Sequence, residues 1–180
     1  FYDGITTQEI QKILIKSASD LISLESPNYQ YVASRLLLFA IQKQVFNTKW
    51  KDSEIYPPLK DLIERNIEKG LYSTDLRDKY SDKELKKLNS YLRHSRDFEF
   101  TYAGLQQVVD KYLIQDRSTG TMFETPQFMY MLIAMTLFQN YDKEKRLSYI
   151  QKYYNASSTF KINIPTPIMA GVRTPLKQFA

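Results

Sequence analysis

The sequence predicts a mainly α-helical (all-α) protein with one small β-hairpin and an extended segment at its carboxyl end. Apolar residues recur at helical spacing along most of the 180 residues. Ser/Thr-x-x-Glu capping boxes precede two of these runs, and a single stretch places a glycine turn between two short apolar runs. Hydrophobic residues make up 43% of the chain and aromatic residues 14%, which is enough apolar material for a packed core.

Two helices are predicted at the amino end. Thr6 and Glu9 have capping-box spacing, which places a helix over residues 6–23. The sequence ESPN interrupts it, and Pro27 opens a second helix that runs to about Asn47. The middle of this second helix, LLLFAI, is apolar nearly all round, so the helix is expected to be buried. A polar connection, TKWKDSEIYPP, follows it.

Further helical segments are predicted in the centre of the chain. One helix begins after Pro58 and ends at Gly70, where a glycine cap belongs. The segment YSTDLRDKY fits one or two helical turns. A second capping box, Ser81 with Glu84, starts the next helix, and HSRDFEF breaks it. A helix is then predicted over Tyr102–Lys111 because its apolar residues again recur at helical spacing.

The stretch YLIQDRSTGTMFE departs from the helical pattern. Its Ser-Thr-Gly turn predicts a β-hairpin that pairs Tyr112–Gln115 with Thr121–Glu124, and Gly120 supplies the positive φ of the turn. Thr125 is then expected to cap a helix with Pro126 at its first position. The run QFMYMLIAMTLF in that helix is predicted to be core.

The last amphipathic helix is predicted in YDKEKRLSYIQKYYNASS, where Leu147, Ile150 and Tyr154 share one face. Residues 159–180 differ from the helical segments in composition and pattern. They hold three of the seven prolines, and apolar and polar positions alternate in FKINIP. Alternation of period two predicts a strand or an extended segment. Since isolated extended segments are unstable in water, residues 160–180 are expected to be poorly ordered unless further chain covers them.

The net charge of +5 is spread over the chain and not gathered into a patch. Basic residues are mixed with acidic ones, as in KDLIERNIEKG, which is typical of a solvated helix surface. A basic helical protein that binds nucleic acid is therefore a third-ranked hypothesis that rests on net charge alone.

Composition excludes several classes of site within these residues. The chain has no Cys, which excludes a disulfide framework, a thiolate metal site and a thiol nucleophile, and its single His excludes a His-rich metal site. No targeting signal is visible, and the apolar run Phe128–Phe138 is too short to span a bilayer. The expectation is a cytoplasmic protein with no membrane partner.

No residue can be nominated as catalytic from pattern alone. His94 in RHSRDFEF is a candidate acid–base group, but a lone His between helices is more often structural. DRSTGT lacks the glycines and the Lys of a phosphate loop. The methionines Met129, Met131 and Met135 fit a core helix better than a cofactor site.

The carboxyl-terminal sequence STFKINIPTPIMAGVRTPLKQFA resembles a motif of the class I ribonucleotide reductase large (α) subunit, S-T-x-x-I-x-L-P-T-P-I-M-x-G-x-R-T-P-x-R-Q-F. Ile164 replaces the usual Leu, and Lys177 replaces the usual Arg. FYDGITTQEI resembles the end of the family's ATP-cone, and PNYQYVASR resembles its P-D-Y-Q-Y-x-A-A-R helix. HSRDFEFTYAGLQQVVDKYL is similar to a third family segment, so the likeness runs in order through all 180 residues.

The resemblance implies that the chain is divided into three parts. Residues 1–47 would be the carboxyl-terminal part of an ATP-cone, residues 48–158 a helical amino-terminal domain, and residues 159–180 the start of a catalytic α/β barrel. In the family, the tail motif continues into a redox-active Cys. We therefore expect this chain to stop just before that Cys, which would account for its lack of cysteine and of catalytic residues.

The resemblance also implies site residues. Thr166 matches the family Thr that helps to bind the substrate diphosphate, and Pro165 and Pro167 stiffen the chain around it. The alternative is that Thr166 merely ends a strand. Thr7 and Lys43 match ATP-cone positions that contact the activity-regulating nucleotide. The V-x-K-R-D-G hairpin of the cone is not in this sequence, so at best half of that pocket is expected.

The implied activity is reduction of ribonucleoside diphosphates to deoxyribonucleoside diphosphates. This chain would supply scaffold and part of the phosphate site, with no cofactor of its own and with ATP and dATP as allosteric effectors of the full subunit. The implied partners are the rest of the large subunit (in the same chain or in a second one), a small radical-generating subunit and a second large subunit. The alternative is a stand-alone helical interaction module without catalysis.

Overall fold

The computed structural model describes residues 2–46 and 56–177. Over these ranges the chain forms nine α-helices, one 3-10 helix and one two-stranded sheet, which confirms the predicted all-α fold with a small hairpin. The elements, in chain order, are α1 (Thr7–Asp20), α2 (Tyr29–Phe46), α3 (Leu59–Glu68), α4 (Asp75–Asp78), α5 (Asp82–Asn89), a 3-10 helix (His94–Glu99), α6 (Tyr102–Lys111), β1 (Gln115–Asp116), β2 (Thr121–Met122), α7 (Pro126–Phe138), α8 (Lys143–Ser158) and α9 (Thr166–Gly171).

Helix α7 is the centre of the core. Every residue from Pro126 to Thr136 is buried, as the continuous apolar run predicts. Helices α4, α8 and α9 and the 3-10 helix all pack against α7. The three methionines of α7 are fully enclosed, so they serve as core residues, as predicted.

Helices α1 and α2 form a hairpin at the amino end. The predicted capping box of α1 is present, since the Glu9 amide donates to Thr6 Oγ1 at 3.2 Å and the Thr6 amide donates to the Glu9 carboxylate at 2.8 Å. Helix α2 packs against both α1 and α6, and its LLLFAI segment is buried or half-buried throughout. The polar connection predicted after Asn47 lies mostly outside the described residues.

Local signals also place the central helices correctly. Gly70 follows α3 with a φ of 69°, the left-handed backbone that favours glycine at a helix end. The Ser81–Glu84 capping box starts α5. The same Glu84 carboxylate accepts from the buried Arg146 guanidinium of α8 at 2.5 and 2.8 Å, which joins α5 to α8. The break predicted at HSRDFEF is a 3-10 helix.

The hairpin is present but shorter than predicted. Gln115 pairs with Met122 and Asp116 with Thr121, and Gly120 has a φ of 71° in the turn. Tyr112 is the carboxyl-terminal capping residue of α6 and not a strand residue, because its amide donates to the Val108 carbonyl at 2.9 Å.

The predicted capping bond from Thr125 is absent. It stands at the capping position of α7, followed by Pro126 as expected, but its hydroxyl accepts no bond from the helix. Thr125 is fully buried, and Oγ1 has no hydrogen-bond partner among the described residues.

The tail differs most from its prediction. Residues 161–165 form neither helix nor strand, the backbone then turns into α9, and the described tail residues 159–177 contain no strand. Prolines suit the start of a helix, where an amide would be unpaired in any case; Pro165 is the capping residue of α9, and Pro167 lies in its first turn. The expected lack of order is contradicted at Val172 and Arg173, which are fully buried against the helical body, whereas residues 178–180 of that prediction lie outside the described residues.

Among residues 2–46 and 56–177, no helix combines the length and the apolarity needed to cross a bilayer.

Candidate functional site

Thr166 is the first residue of α9, and its side chain is exposed. Pro165 precedes it with φ −58° and ψ 142°, and Pro167 follows it in the first helical turn. Because proline restricts φ and the conformation of the residue before it, the backbone at Thr166 is held from both sides. The backbone that carries the hydroxyl is therefore restrained at the surface.

The hydroxyl of Tyr112 lies beside that of Thr166. Tyr112 Oη and Thr166 Oγ1 are 3.3 Å apart, and either oxygen can be the donor. Tyr112 ends α6 and is half-buried. Two surface hydroxyls from distant parts of the chain thus form a pair.

Arg173 connects the two segments that carry this pair. Its guanidinium donates to the Met169 carbonyl of α9 at 2.5 Å and to the Tyr112 carbonyl at 2.7 Å. It also forms an ion pair with Glu124, and both side chains are fully buried. One buried cation therefore holds α9 against the end of α6.

Glu124 is fully satisfied in this buried position. Besides Arg173, its carboxylate accepts from the Tyr72 hydroxyl at 2.7 Å and from the Ile114 amide at 2.8 Å. Burial, and next the charge of Glu124, raise the pKa of Tyr72 well above its usual range, so Tyr72 remains a donor. A buried carboxylate with a cation and two further donors is the condition under which burying charge is tolerated.

A cleft of about 510 Å³ lies between α6 and the tail, and Tyr112, which contacts Thr166, lines it. Its walls combine aromatic and aliphatic side chains with a few polar ones, among them Phe100, Gln107, Tyr112, Phe160, Asn163 and Met169.

Thr7 and Lys43 lie in the helical hairpin and are both exposed. Thr7 is the first residue of α1, and Lys43 is in the last turn of α2. Each is roughly 20 Å along its helix from the connection at residues 21–28, which brings both to the same end of the hairpin. The described contacts contain no hydrogen bond between the two side chains.

His94 has a structural environment. Its ring stacks on Tyr56 with centroids 3.7 Å apart and an angle of 3° between the planes. Burial lowers the pKa of His94 to about 4, so the imidazole is neutral near pH 7 and does not act as a surface acid. The buried Asp97 nearby accepts from Gln127 at 2.8 Å, and burial raises the pKa of Asp97 to about 7.

Reasoning from sequence did not single out Tyr112 or Arg173. The available signal for Arg173 was a lone arginine among apolar and proline residues of the tail, which indicates a buried partner. Nothing in the sequence links Tyr112 to Thr166, which is 54 residues away. In the described part of the chain, no group of His, Cys, Asp or Glu is arranged to hold a metal ion.

Comparison with known proteins agrees with this architecture. A family model described as the ribonucleotide reductase all-alpha domain matches residues 98–177. The ribonucleoside-diphosphate reductase 1 subunit alpha of Escherichia coli (strain K12) is 45% identical over 181 residues, which cover 100% of this chain and 23% of that protein. The corresponding subunit alpha of Enterobacteria phage T4 is 46% identical over 99% of this chain, and that of Helicobacter pylori is 36% identical over 100%.

The chain thus spans about a quarter of the length of these relatives, 23% in the first two cases and 21% in the third. The match runs through the whole chain, and the helical body that the family model describes is the one that holds α9 and Thr166. Over its whole length the chain thus matches the amino-terminal part of ribonucleotide reductase large subunits, and residues 98–177 match the all-alpha domain of that family.

Proposed function

We propose that this chain is the amino-terminal part of a ribonucleoside-diphosphate reductase large subunit, and that the complete subunit reduces ribonucleoside diphosphates to deoxyribonucleoside diphosphates. The observation that carries this proposal is 45% identity over 100% of the chain to a protein of that name. The sequence has no Cys, so the chain supplies scaffold and not the thiol chemistry.

Within that role, Thr166 is a ligand of the substrate diphosphate. Its hydroxyl is exposed and lies on a short helix that the buried Arg173 holds in place. A hydroxyl that donates to a charged oxygen makes one of the stronger hydrogen bonds in proteins. The support for this role is the fixed, exposed position of Thr166 together with the likeness of its motif to the family.

The helical hairpin is part of an effector site for ATP and dATP. Thr7 and Lys43 are exposed at the same end of the hairpin, and the Lys43 ammonium suits a phosphate as a point charge. The remaining contacts of such a site would come from chain that this sequence does not include.

The partners follow from the same assignment. They are the rest of the large subunit, in the same chain or in a second one, a small radical-generating subunit, and a second large subunit. The assembly would work in the cytoplasm.

Turnover of cytidine diphosphate tests the proposal. The purified chain alone should form no deoxycytidine diphosphate by chromatography. The same residues within a complete large subunit, with the small subunit and a reductant, should form it. Turnover by the chain alone would refute the scaffold role, and no turnover by the complete assembly would favour the stand-alone interaction module.

A further inference from the structure

We propose that Tyr112 is a positioning residue for Thr166: its phenol donates to Thr166 Oγ1 and thereby aims the Thr166 hydroxyl proton at the substrate phosphate. The inference deepens the function proposed above and rests on the phosphate role of Thr166. It concerns the 3.3 Å contact between the two oxygens.

The direction of that hydrogen bond follows from the acidity of the two groups. A phenolic hydroxyl is a better proton donor than an aliphatic hydroxyl. When Tyr112 donates, the Thr166 oxygen accepts and its own proton stays free for an anion. A hydroxyl that accepts one bond also donates the next more strongly, because chained hydrogen bonds polarise one another.

The backbone of Tyr112 is held on both sides. Its amide donates to the Val108 carbonyl at 2.9 Å, and its carbonyl accepts from Arg173 at 2.7 Å. The ring is half-buried at the end of α6. The backbone that carries the phenol is therefore held by α6 and Arg173 and not by Thr166.

The helix that carries the other oxygen is held by the same guanidinium. Arg173 also donates to the Met169 carbonyl of α9, three residues after Thr166, and its partner Glu124 is fully buried. The two backbones that carry the pair are thus bound to one cation inside the protein. Such an arrangement keeps the two hydroxyls at contact distance before any substrate arrives, which is what positioning requires.

The competing explanation is packing, because Tyr112 also lines the cleft beside α9 with Val108 and Met169. Packing depends on the ring, whereas positioning depends on the hydroxyl. Tyr112→Phe keeps the ring and removes only the hydroxyl, so it separates the two roles. Tyr102→Phe, at the other end of α6, is the matched control.

The experiment uses the complete large subunit with its small subunit and cytidine diphosphate as substrate. Tyr112→Phe should raise KM about threefold to tenfold, as expected for one lost hydrogen bond, and leave kcat within about twofold. Tyr102→Phe should leave both constants unchanged. An unchanged KM in Tyr112→Phe, with or without a lower melting temperature, assigns Tyr112 to packing and overturns the inference.

A double-variant cycle with Thr166→Val distinguishes failure of the Tyr112 inference from failure of the proposed function. Positioning predicts that Tyr112→Phe has no further effect on KM once Thr166 is Val. An equal increase in both backgrounds would mean that Tyr112 acts independently of Thr166, which overturns the inference. If Thr166→Val alone leaves KM unchanged, Thr166 does not bind the phosphate and the proposed function of this residue fails. If Thr166→Val raises KM but Tyr112→Phe does not, only the positioning role of Tyr112 fails.

Discussion

Replacing Arg173 with methionine removes the cation that neutralises the buried Glu124 carboxylate. Methionine keeps an unbranched apolar stem that can fill part of the site, so the change tests mainly the loss of charge and hydrogen bonding. In the wild-type protein the guanidinium binds Glu124 and two backbone carbonyls, those of Met169 and Tyr112. Each of these acceptors loses its bond from Arg173 in the variant, and Glu124 keeps only the neutral donors of Tyr72 and Ile114.

The magnitude follows from the burial of the pair. Both side chains are 0% exposed, and removing one partner of a buried ion pair costs about 3–5 kcal/mol. For a chain of this size each kcal/mol lowers the melting temperature by about 2–4 °C. The free energy of unfolding should thus fall by about 3–5 kcal/mol and the melting temperature by about 6–20 °C.

Urea unfolding and thermal melting of the 180-residue chain, followed by circular dichroism, measure both quantities. Lys177→Met is the matched control, since it removes the pair of Lys177 with Asp75, whose side chains are 50% and 24% exposed. That variant should lose less than about 1 kcal/mol. A further change, Glu124→Met in the Arg173→Met background, should recover part of the loss because no carboxylate remains stranded. Equal effects of Arg173→Met and Lys177→Met would refute the reasoning.

Three further predictions concern the proposed sites and one buried acid. Thr166→Val in the complete enzyme should raise KM for the diphosphate roughly tenfold to hundredfold with little change in melting temperature, and an unchanged KM would return Thr166 to a structural role. Calorimetry of the isolated chain should show weak or no binding of ATP, because Thr7 and Lys43 form only one side of a pocket; a low-micromolar constant would contradict this. Burial raises the folded pKa of Asp97 to about 7, above the unfolded value of about 3.9, so the folded state binds the extra proton between these values. The free energy of unfolding should therefore fall as pH rises from about 4 to 7, and Asp97→Asn should flatten this profile in urea unfolding; a flat wild-type profile would count against it.

Structural features formed by residues that are close together in the sequence could be predicted. The capping boxes at Thr6 and Ser81 each join residues three apart, so the spacing of two letters is enough to identify them. Gly70 and Gly120 mark backbone conformations that most other residues avoid, and both have the expected positive φ. The continuous apolar run of α7 likewise requires burial from every side.

Features whose partners are far apart could not be predicted. Arg173 and Glu124 are 49 residues apart, and nothing in the sequence selects this pair from among the other charged residues. Helix α9 was missed because period two in FKINIP extends only to Pro165, after which the prolines favour a first helical turn. Thr166 was identified by likeness to a family, whereas its neighbour Tyr112 required the folded chain.

The attachment of α9 through Arg173 also has a consequence for hydrogen exchange. A helix of six residues is too short to persist by itself in water, so the amides of α9 stay protected only while Arg173 remains in its buried position. Arg173 leaves that position only if Glu124, between the hairpin and α7, loses its partner at the same time. The α9 amides and the Ile114 amide, which donates to Glu124, should therefore exchange with similar opening free energies, as one cooperative unit that spans more than fifty residues of sequence.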